Sequence, residues 1–336
     1  MRYIIKLLGI FCLLLSLGCN QEQSYRLGVD AEERTTIDLA NLAALMSSEP
    51  ASQQDILRFV PTKSSQASLR LLEKKLIDFT IVPQDVFASY LMHHSEDEIL
   101  YAAVAVLASP SCHIIVHRDS KIQDIYDLIH KKIALGDIES GTFQIAENIF
   151  SANGLKKELV TPVYGSFSKA KALFLSKAVD ALIIVDHIPS ALVQDLFAHH
   201  DLTLLSLDKN ALETLLAYNY GYATSLIPAH TYSGLNHSVL SIKANELLLA
   251  QQNVEDEVAQ EILRKLAIQK QAQLTAKPRT VKNDNSFKTA LANLSANNTS
   301  LLQFHPGAAI LYKQNDISVQ VYERKLSVNK VIKGQD

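Results

Sequence analysis

The sequence predicts an α/β protein of two similar lobes, each a doubly wound sheet with helices on both faces, and three observations predict it. Amphipathic helical phrases alternate with short apolar strands, the pattern of largely parallel sheets covered on both sides. One helix-then-strand phrase occurs twice, as "LRLLEKKLIDFTIV" and "KALFLSKAVDALIIV", and in both an aspartate (Asp78, Asp180) opens the strand. The length of 336 residues suits about two domains.

The elements follow in order. From Asp38 to Met46, leucine and alanine recur at helical spacing, and "ILRFVPT" (Ile56 to Thr62) reads as a strand leading into a turn. A helix through Leu69, Leu72 and Leu76 leads to a strand from Phe79 to Val82. "HIIVHR" (His113 to Arg118) is a further strand, and "IQDIYDLIHKKIALGD" reads as a helix followed by a strand. Phe143, Ala146 and Phe150 share one helical face until Asn153-Gly154 stops it, and "LVTPVYG" is the next strand. The last third is more helical: Val254 to Gln273, then Phe287 to Leu294, with the polar "QLTAKPRTVKNDNS" between them. "ISVQVYERKLSV" alternates like an edge strand, and Asn329 to Asp336 reads as a frayed tail.

The first residues point to export. Arg2 and Lys6 precede an apolar run from Leu7 to Leu17, then Gly18-Cys19-Asn20, the layout of a secretory signal whose cleavage point is a lipobox. On this reading residues 1–19 are the signal ending at a lipidated Cys19, residues 20–26 a linker, and the chain sits in the periplasm on a lipid anchor. Plain secretion or a retained anchor are the alternatives. No later stretch approaches about 18 apolar residues. Formal charge is -3, so no basic field for nucleic acid exists. Cys12 and Cys19 fall in the leader, which leaves Cys112 as a buried structural thiol.

In such sheets ligands bind beyond the carboxyl ends of strands. Four loops would face one cleft: Thr62 to Ser65, Pro83 to Asp85, Asp137 to Thr142 and Asp186 to Pro189. Ser140-Gly141-Thr142 opens a helix, where unpaired N–H groups and the helix dipole favour a carboxylate; plain capping is the bland alternative. Thr62, Ser64 and Ser65 offer the same two readings. Gln84 and Asp85 could meet an ammonium or hydroxyl of a ligand, or cap the next helix. Arg34 could clamp a carboxylate or pair with Glu32 and Glu33. Tyr218, Tyr220 and Tyr222 alternate, so at least one could line a cleft and the rest a buried face. His93-His94, His199-His200, His230 and His237 lack metal-ligand spacing and read as solvated, and His305 reads as a structural turn residue. No nucleophile elbow, phosphate loop or dinucleotide fingerprint occurs, so no catalysis, cofactor or metal is expected.

Several phrases, in order, make the chain resemble the TAXI-type solute receptors of TRAP (tripartite ATP-independent periplasmic) transporters. They are Thr62-Lys63-Ser64-Ser65 with "LRLLEKKLIDFTIVPQDV", then "HIIVHRDSKIQDIYDLIHKKIALGDIESGT", "VDALIIVDHIP", "IPAHTYSG" and "FHPGAAILYK". The resemblance covers roughly Leu27 to Lys313. It implies a two-lobed, type II-like periplasmic-binding-protein fold that captures a small organic anion (an acidic amino acid or related carboxylate) and delivers it to a TRAP-type membrane permease without catalysis. The implied lobes are residues 27–115 with a return over 224–316, and 116–223, with crossings near Cys112 to Arg118 and Tyr222 to Pro228; residues 317–336 form a C-terminal strand and tail. The pocket departs from the family. Asp30, Glu32, Glu33 and Arg34 stand where glycines are expected, and Thr35 and Thr36 replace tyrosines. Lys63 and Ser64 replace glycines, Pro83 a glutamine and His187 a glycine. Thr36 and His187 thereby join the candidate pocket. A receptor-like lipoprotein without a transport role (a sensor input or a protein-binding scaffold) and a secreted α/β hydrolase are the rival readings.

Overall fold

The computed structural model describes residues 24–30, 57–94, 100–218, 221–276, 286–295 and 302–323. The expected helix from Asp38 to Met46, and Cys19, Arg34 and Thr36, lie outside them.

The first sheet runs β2-β1-β3-β12-β4. Its strands are β1 (Tyr25–Asp30), β2 (Leu57–Thr62), β3 (Phe79–Pro83), β4 (Tyr101–Ala108) and β12 (Glu246–Gln251). β1 pairs in parallel with both β2 and β3, while β12 inserts antiparallel between β3 and β4. Every residue of β12 is buried, as a central strand covered on both faces requires. Helix α1 (Ser65–Glu73) follows β2 and buries Leu69 and Leu72, and α2 (Gln84–Met92) follows β3 directly. Three C-terminal helices complete this lobe: α7 (Asp256–Ala276), α8 (Ser286–Leu294) and α9 (Pro306–Gln314). Ala259, Ile262, Leu263, Leu266 and Ala267 form the buried stripe of α7, at the spacing of one helical face. The "FHPGA" phrase explains itself here. His305 caps α9, its Nδ1 accepting from Gly307 N at 3.2 Å, Pro306 fills the first turn, and a Cβ on Gly307 would land on the backbone of Asp256.

The second sheet runs β10-β11-β5-β8-β6-β7, with β9 also pairing β5. It comprises β5 (Ser111–His117), β6 (Lys132–Ala134), β7 (Thr161–Val163), β8 (Ala181–Asp186), β9 (Leu202–Leu204), β10 (Ala223–Ile227) and β11 (Val239–Lys243). Around it lie α3 (Gly141–Ala152), α4 (Phe167–Leu175), α5 (Ala191–His199) and α6 (Lys209–Ala217), with one apolar cluster on each side. Cys112 is buried in one of them, as expected, and burial pushes its thiol up to about 12.

The structure shifts three expectations. The chain crosses between sheets at residues 108–111 and 243–246, because β5 pairs along its length with β8 and β10 pairs with β11. The crossings therefore fall outside Cys112 to Arg118 and Tyr222 to Pro228. The helix expected around Ile122 to Lys131 is a single 3-10 turn, Tyr126–Leu128. There the Asp124 and Asp127 carboxylates accept the N–H groups of Gln123, Tyr126 and Asp127 in the manner of an N-cap, and the turn stops where Ile129 takes extended backbone, φ -59° and ψ 130°. The C-terminal edge strand contributes only an isolated bridge from Val321 to Phe304 among the described residues.

Candidate functional site

The lobes meet where loops at the carboxyl ends of β3 and β6 face each other. β3 ends in Pro83, and α2 starts with no side-chain cap on its first turn. Asp85 sits in that turn, 1% exposed. Its Oδ1 accepts from Val86 N at 2.9 Å, and its Oδ2 accepts from the Tyr222 hydroxyl, across the seam, at 2.8 Å. Tyr222 in turn accepts from Asn148 Nδ2 of α3 at 2.6 Å. A polar chain thus runs from α2 through Tyr222 to α3. Burial raises the Asp85 carboxyl to about 6, more than its hydrogen bonds from Tyr222 and Val86 pull it down. The same burial, together with the neighbouring Asp85 charge, pushes the Tyr222 phenol well above its ordinary value.

Opposite Asp85, Ser140 caps α3, its Oγ accepting from Phe143 N at 3.1 Å. Ser140 thus caps the helix, and Gly141 and Thr142 face the seam. With Asp85, Ile145, Val185 and Glu246 they line a cavity of about 20 Å³. That is room for about one water.

Gln84 is committed to the crossing. Its N–H donates to Asn245 O at 2.7 Å and its Oε1 accepts from Asn245 Nδ2 at 2.8 Å. Gly221, with φ of +78°, packs so close that a Cβ would overlap the Gln84 side chain. A second bridge spans the seam at Glu139, whose φ of +68° is rare for a side-chain-bearing residue. Glu139 Oε2 accepts from Arg70 Nη2 at 2.7 Å and from Ser64 Oγ at 3.3 Å. The Arg70 guanidinium holds the Glu139 carboxyl below its usual range.

The remaining candidates take local roles. Ser64 also caps α1 through Ala67 N at 3.0 Å, Ser65 is buried, and Thr62 Oγ1 lies 2.6 Å from Ser68 Oγ. Lys63 is exposed. His187 is exposed, its N–H donating to Asp186 Oδ1 at 2.7 Å. Tyr218 packs against the second lobe's own core, its hydroxyl 3.5 Å from Ser151, so of the two described tyrosines it is Tyr222 that faces the seam; Tyr220 lies outside the described residues. Sequence reasoning missed Glu139, Arg70, Asn148 and Glu246. Glu139 was within reach, inside a loop already expected to face the cleft.

The hydrolase residues nearest to a triad are not wired as one. Ser190 Oγ donates to Asp186 Oδ2 at 2.6 Å, but His113 turns elsewhere, donating from Nδ1 to Ser111 O and accepting at Nε2 from the Tyr232 hydroxyl at 2.8 Å. Burial pulls His113 down to about 4, which keeps it neutral. Among the described residues no group of three or more potential metal ligands occurs, and no helix is long and apolar enough to cross a membrane. A larger hollow, about 460 Å³, lies on the flank of the second lobe between Phe150, Leu155 and Val160, away from the seam.

The chain is similar in structure to a protein of Bordetella bronchiseptica RB50, at 13% identity over 87% of this chain and 98% of that one, TM-score 0.50. It is similar to a full-length BenM mutant at 14% identity over 84% and 78%, TM-score 0.50. It is also similar to the periplasmic aliphatic sulphonate binding protein SsuA from Escherichia coli at 18% identity over 80% and 73%, TM-score 0.43. At these identities the likeness is one of fold. By its sequence the chain belongs to the NMT1-like family, whose pattern it matches over residues 39–315.

Proposed function

We propose that this chain is an extracytoplasmic solute receptor, tethered to a membrane through a lipid on Cys19, that takes a small organic anion between its lobes. The solute class is an acidic amino acid or related carboxylate, and delivery is to a TRAP-type permease of the TAXI subtype, without chemical turnover. One observation carries the reading: loops at the carboxyl ends of β3 and β6, from different lobes, converge on Asp85, Gly141 and Thr142. The first turn of α3 adds the positive end of a helix dipole, which favours a carboxylate. A cavity of about 20 Å³ admits no such solute, so entry requires the lobes to part. Parting breaks the Tyr222–Asp85 and Arg70–Glu139 contacts, and closure makes new ones around the solute.

A thermal-shift panel of dicarboxylates and amino acids on the mature chain tests this. A ligand-dependent rise in Tm is expected; a silent panel overturns the reading. Replacing Ser140 and Thr142 together by alanine should weaken the hit while the fold survives. The second reading, a receptor-like lipoprotein with no transport role, is favoured by how fully the seam is filled by Asp85, Tyr222, Gln84 and Gly221. It predicts the silent panel.

A further inference from the structure

We infer that Asp85 is the specificity anchor of the seam and selects solutes that bring a cationic hydrogen-bond donor, so that the amine, and not only the carboxylate, decides what binds. This rests on the seam being a solute site, as proposed above, and narrows that site's ligand class to amino compounds.

The argument starts from what Asp85 lacks. It is 1% exposed, yet none of the ion pairs among the described residues involves it. A buried carboxylate without a counter-ion is costly and is ordinarily paired or bound to a cation. Its hydrogen-bond donors, the N–H groups of Val86 and of Asp85 itself and the Tyr222 O–H, are all neutral and leave the charge without a counter-ion. Its charged and titratable surroundings do not supply the missing charge. Tyr222 and the Cys112 thiol are neutral, and Glu246, which lines the same cavity, is an acid and brings no cation. Arg70, at the seam's other bridge, is taken by Glu139 at 2.7 Å.

The position is also one a ligand reaches once the lobes part. Asp85 lines the cavity between the lobes together with the first turn of α3, so a solute with an ammonium at Asp85 directs its other groups toward Gly141 and Thr142. A zwitterion suits that polarity: ammonium to the carboxylate, carboxylate to the helix start. A plain dicarboxylate meets two buried acids and no cation. Tyr222, whose hydroxyl bonds Asp85 across the seam, is the group an entering ammonium joins or displaces.

Matched pairs that differ only in the amine test this by calorimetric titration of the mature chain: L-glutamate against glutarate, and L-leucine against 4-methylpentanoate. Putrescine, a cation without a carboxylate, is the third probe. The expected result is that the amino member of a pair binds about 100-fold more tightly, and that Asp85→Asn removes that preference while Tm is kept. Asp85→Ser serves the same purpose if the amide variant does not fold. A deaminated acid binding as well as its amino partner, with Asp85→Asn without effect, overturns the anchor and leaves the anion receptor standing. Putrescine binding that is lost in Asp85→Asn supports the anchor and overturns the anionic half of the proposed function. Silence of every probe overturns both.

Discussion

Asp78 and Asp180 occupy equivalent points in the two lobes and do the same work. Asp78 opens β3; its N–H donates to Arg26 O at 2.9 Å and its Oδ2 accepts from Arg26 N at 2.8 Å. Asp180 opens β8; its N–H donates to Lys132 O at 2.7 Å and its Oδ2 accepts from Lys132 N at 2.8 Å. Each aspartate therefore fastens its strand to the parallel neighbour, β1 or β6. The turn before each matches too, with Lys75 at φ of +57° and Lys177 at +58°. At the opposite ends of the same strands the symmetry stops. Asp186, closing β8, is held locally by His187 N and Ser190 Oγ. Asp85, just past β3, finds its side-chain partner in Tyr222, 137 residues away and across the seam. The amino ends of the strands repeat a stabilising device, and the carboxyl ends, where α/β sheets bind ligands, have diverged.

The most severe way to break that asymmetry is Gly221→Ala. Gly221 combines a left-handed backbone with a Cβ position already filled by Gln84. Strain and overpacking together should cost about 2–4 kcal/mol, read by denaturant unfolding. The lobes can relieve the overlap by parting, so small-angle scattering should show a larger radius of gyration. An unchanged radius and midpoint would mean the Gln84–Gly221 contact does not hold the lobes together.

Next in size are the two strand-opening aspartates. Asp180→Ala removes an exposed hydrogen bond to one backbone donor and should cost about 0.5–1.5 kcal/mol. Asp78→Ala should cost more, because Asp78 also accepts from Arg26 Nε and Nη2, both at 2.9 Å. Equal losses would show that the Arg26 fork adds nothing to the shared device.

This device is also the most legible part of the chain. A local helix, a turn and a strand-opening aspartate recur as contiguous text, so "LIDFTIV" and "AVDALIIV" expose it directly. β4 ("YAAVAVLA") and β12 ("ELLLAQ") are harder, because strands buried on both faces lose the alternation that marks a strand. The crossings are hard to read for a related reason: β5 looks like a hinge in isolation, and only its pairing with β8 puts it inside the second sheet. At the seam, the sequence could bring Asp85 and Thr142 to facing loops, but not choose Tyr222 over Tyr218, which depends on which side of a helix end each ring falls. Asn148 sits mid-helix and carries no turn or cap signal at all.

Asp85 predicts a pH dependence of folding. Its carboxyl rises from 3.8 to about 6 in the folded chain, so the folded state binds a proton more tightly than the unfolded one. Its stabilising contribution is full below about 4 and is lost as pH rises through about 6. Wild-type stability should therefore fall between about pH 4 and pH 6.5 by at most about 3 kcal/mol on this account. Asp85→Asn, neutral throughout, should flatten that part of the curve. A variant whose stability falls over the same range as wild type would place the titration elsewhere.

The smallest effect belongs to the second bridge. Glu139 and Arg70 are both about half-exposed, with side chains at 40% and 48%, so their ion pair is screened and should contribute only about 0–1 kcal/mol to unfolding. Its role is better seen in the equilibrium between open and closed lobes. Glu139→Gly removes the pair and also the unfavourable left-handed backbone at that residue, whereas Glu139→Gln removes the charge and keeps the backbone. If the bridge latches the lobes, both variants should open the seam to the same extent by small-angle scattering, while only the glycine variant regains stability. If opening follows the backbone alone, the glutamine variant will stay closed, and the seam is then held by Tyr222–Asp85 and by the fit of Gly221 against Gln84.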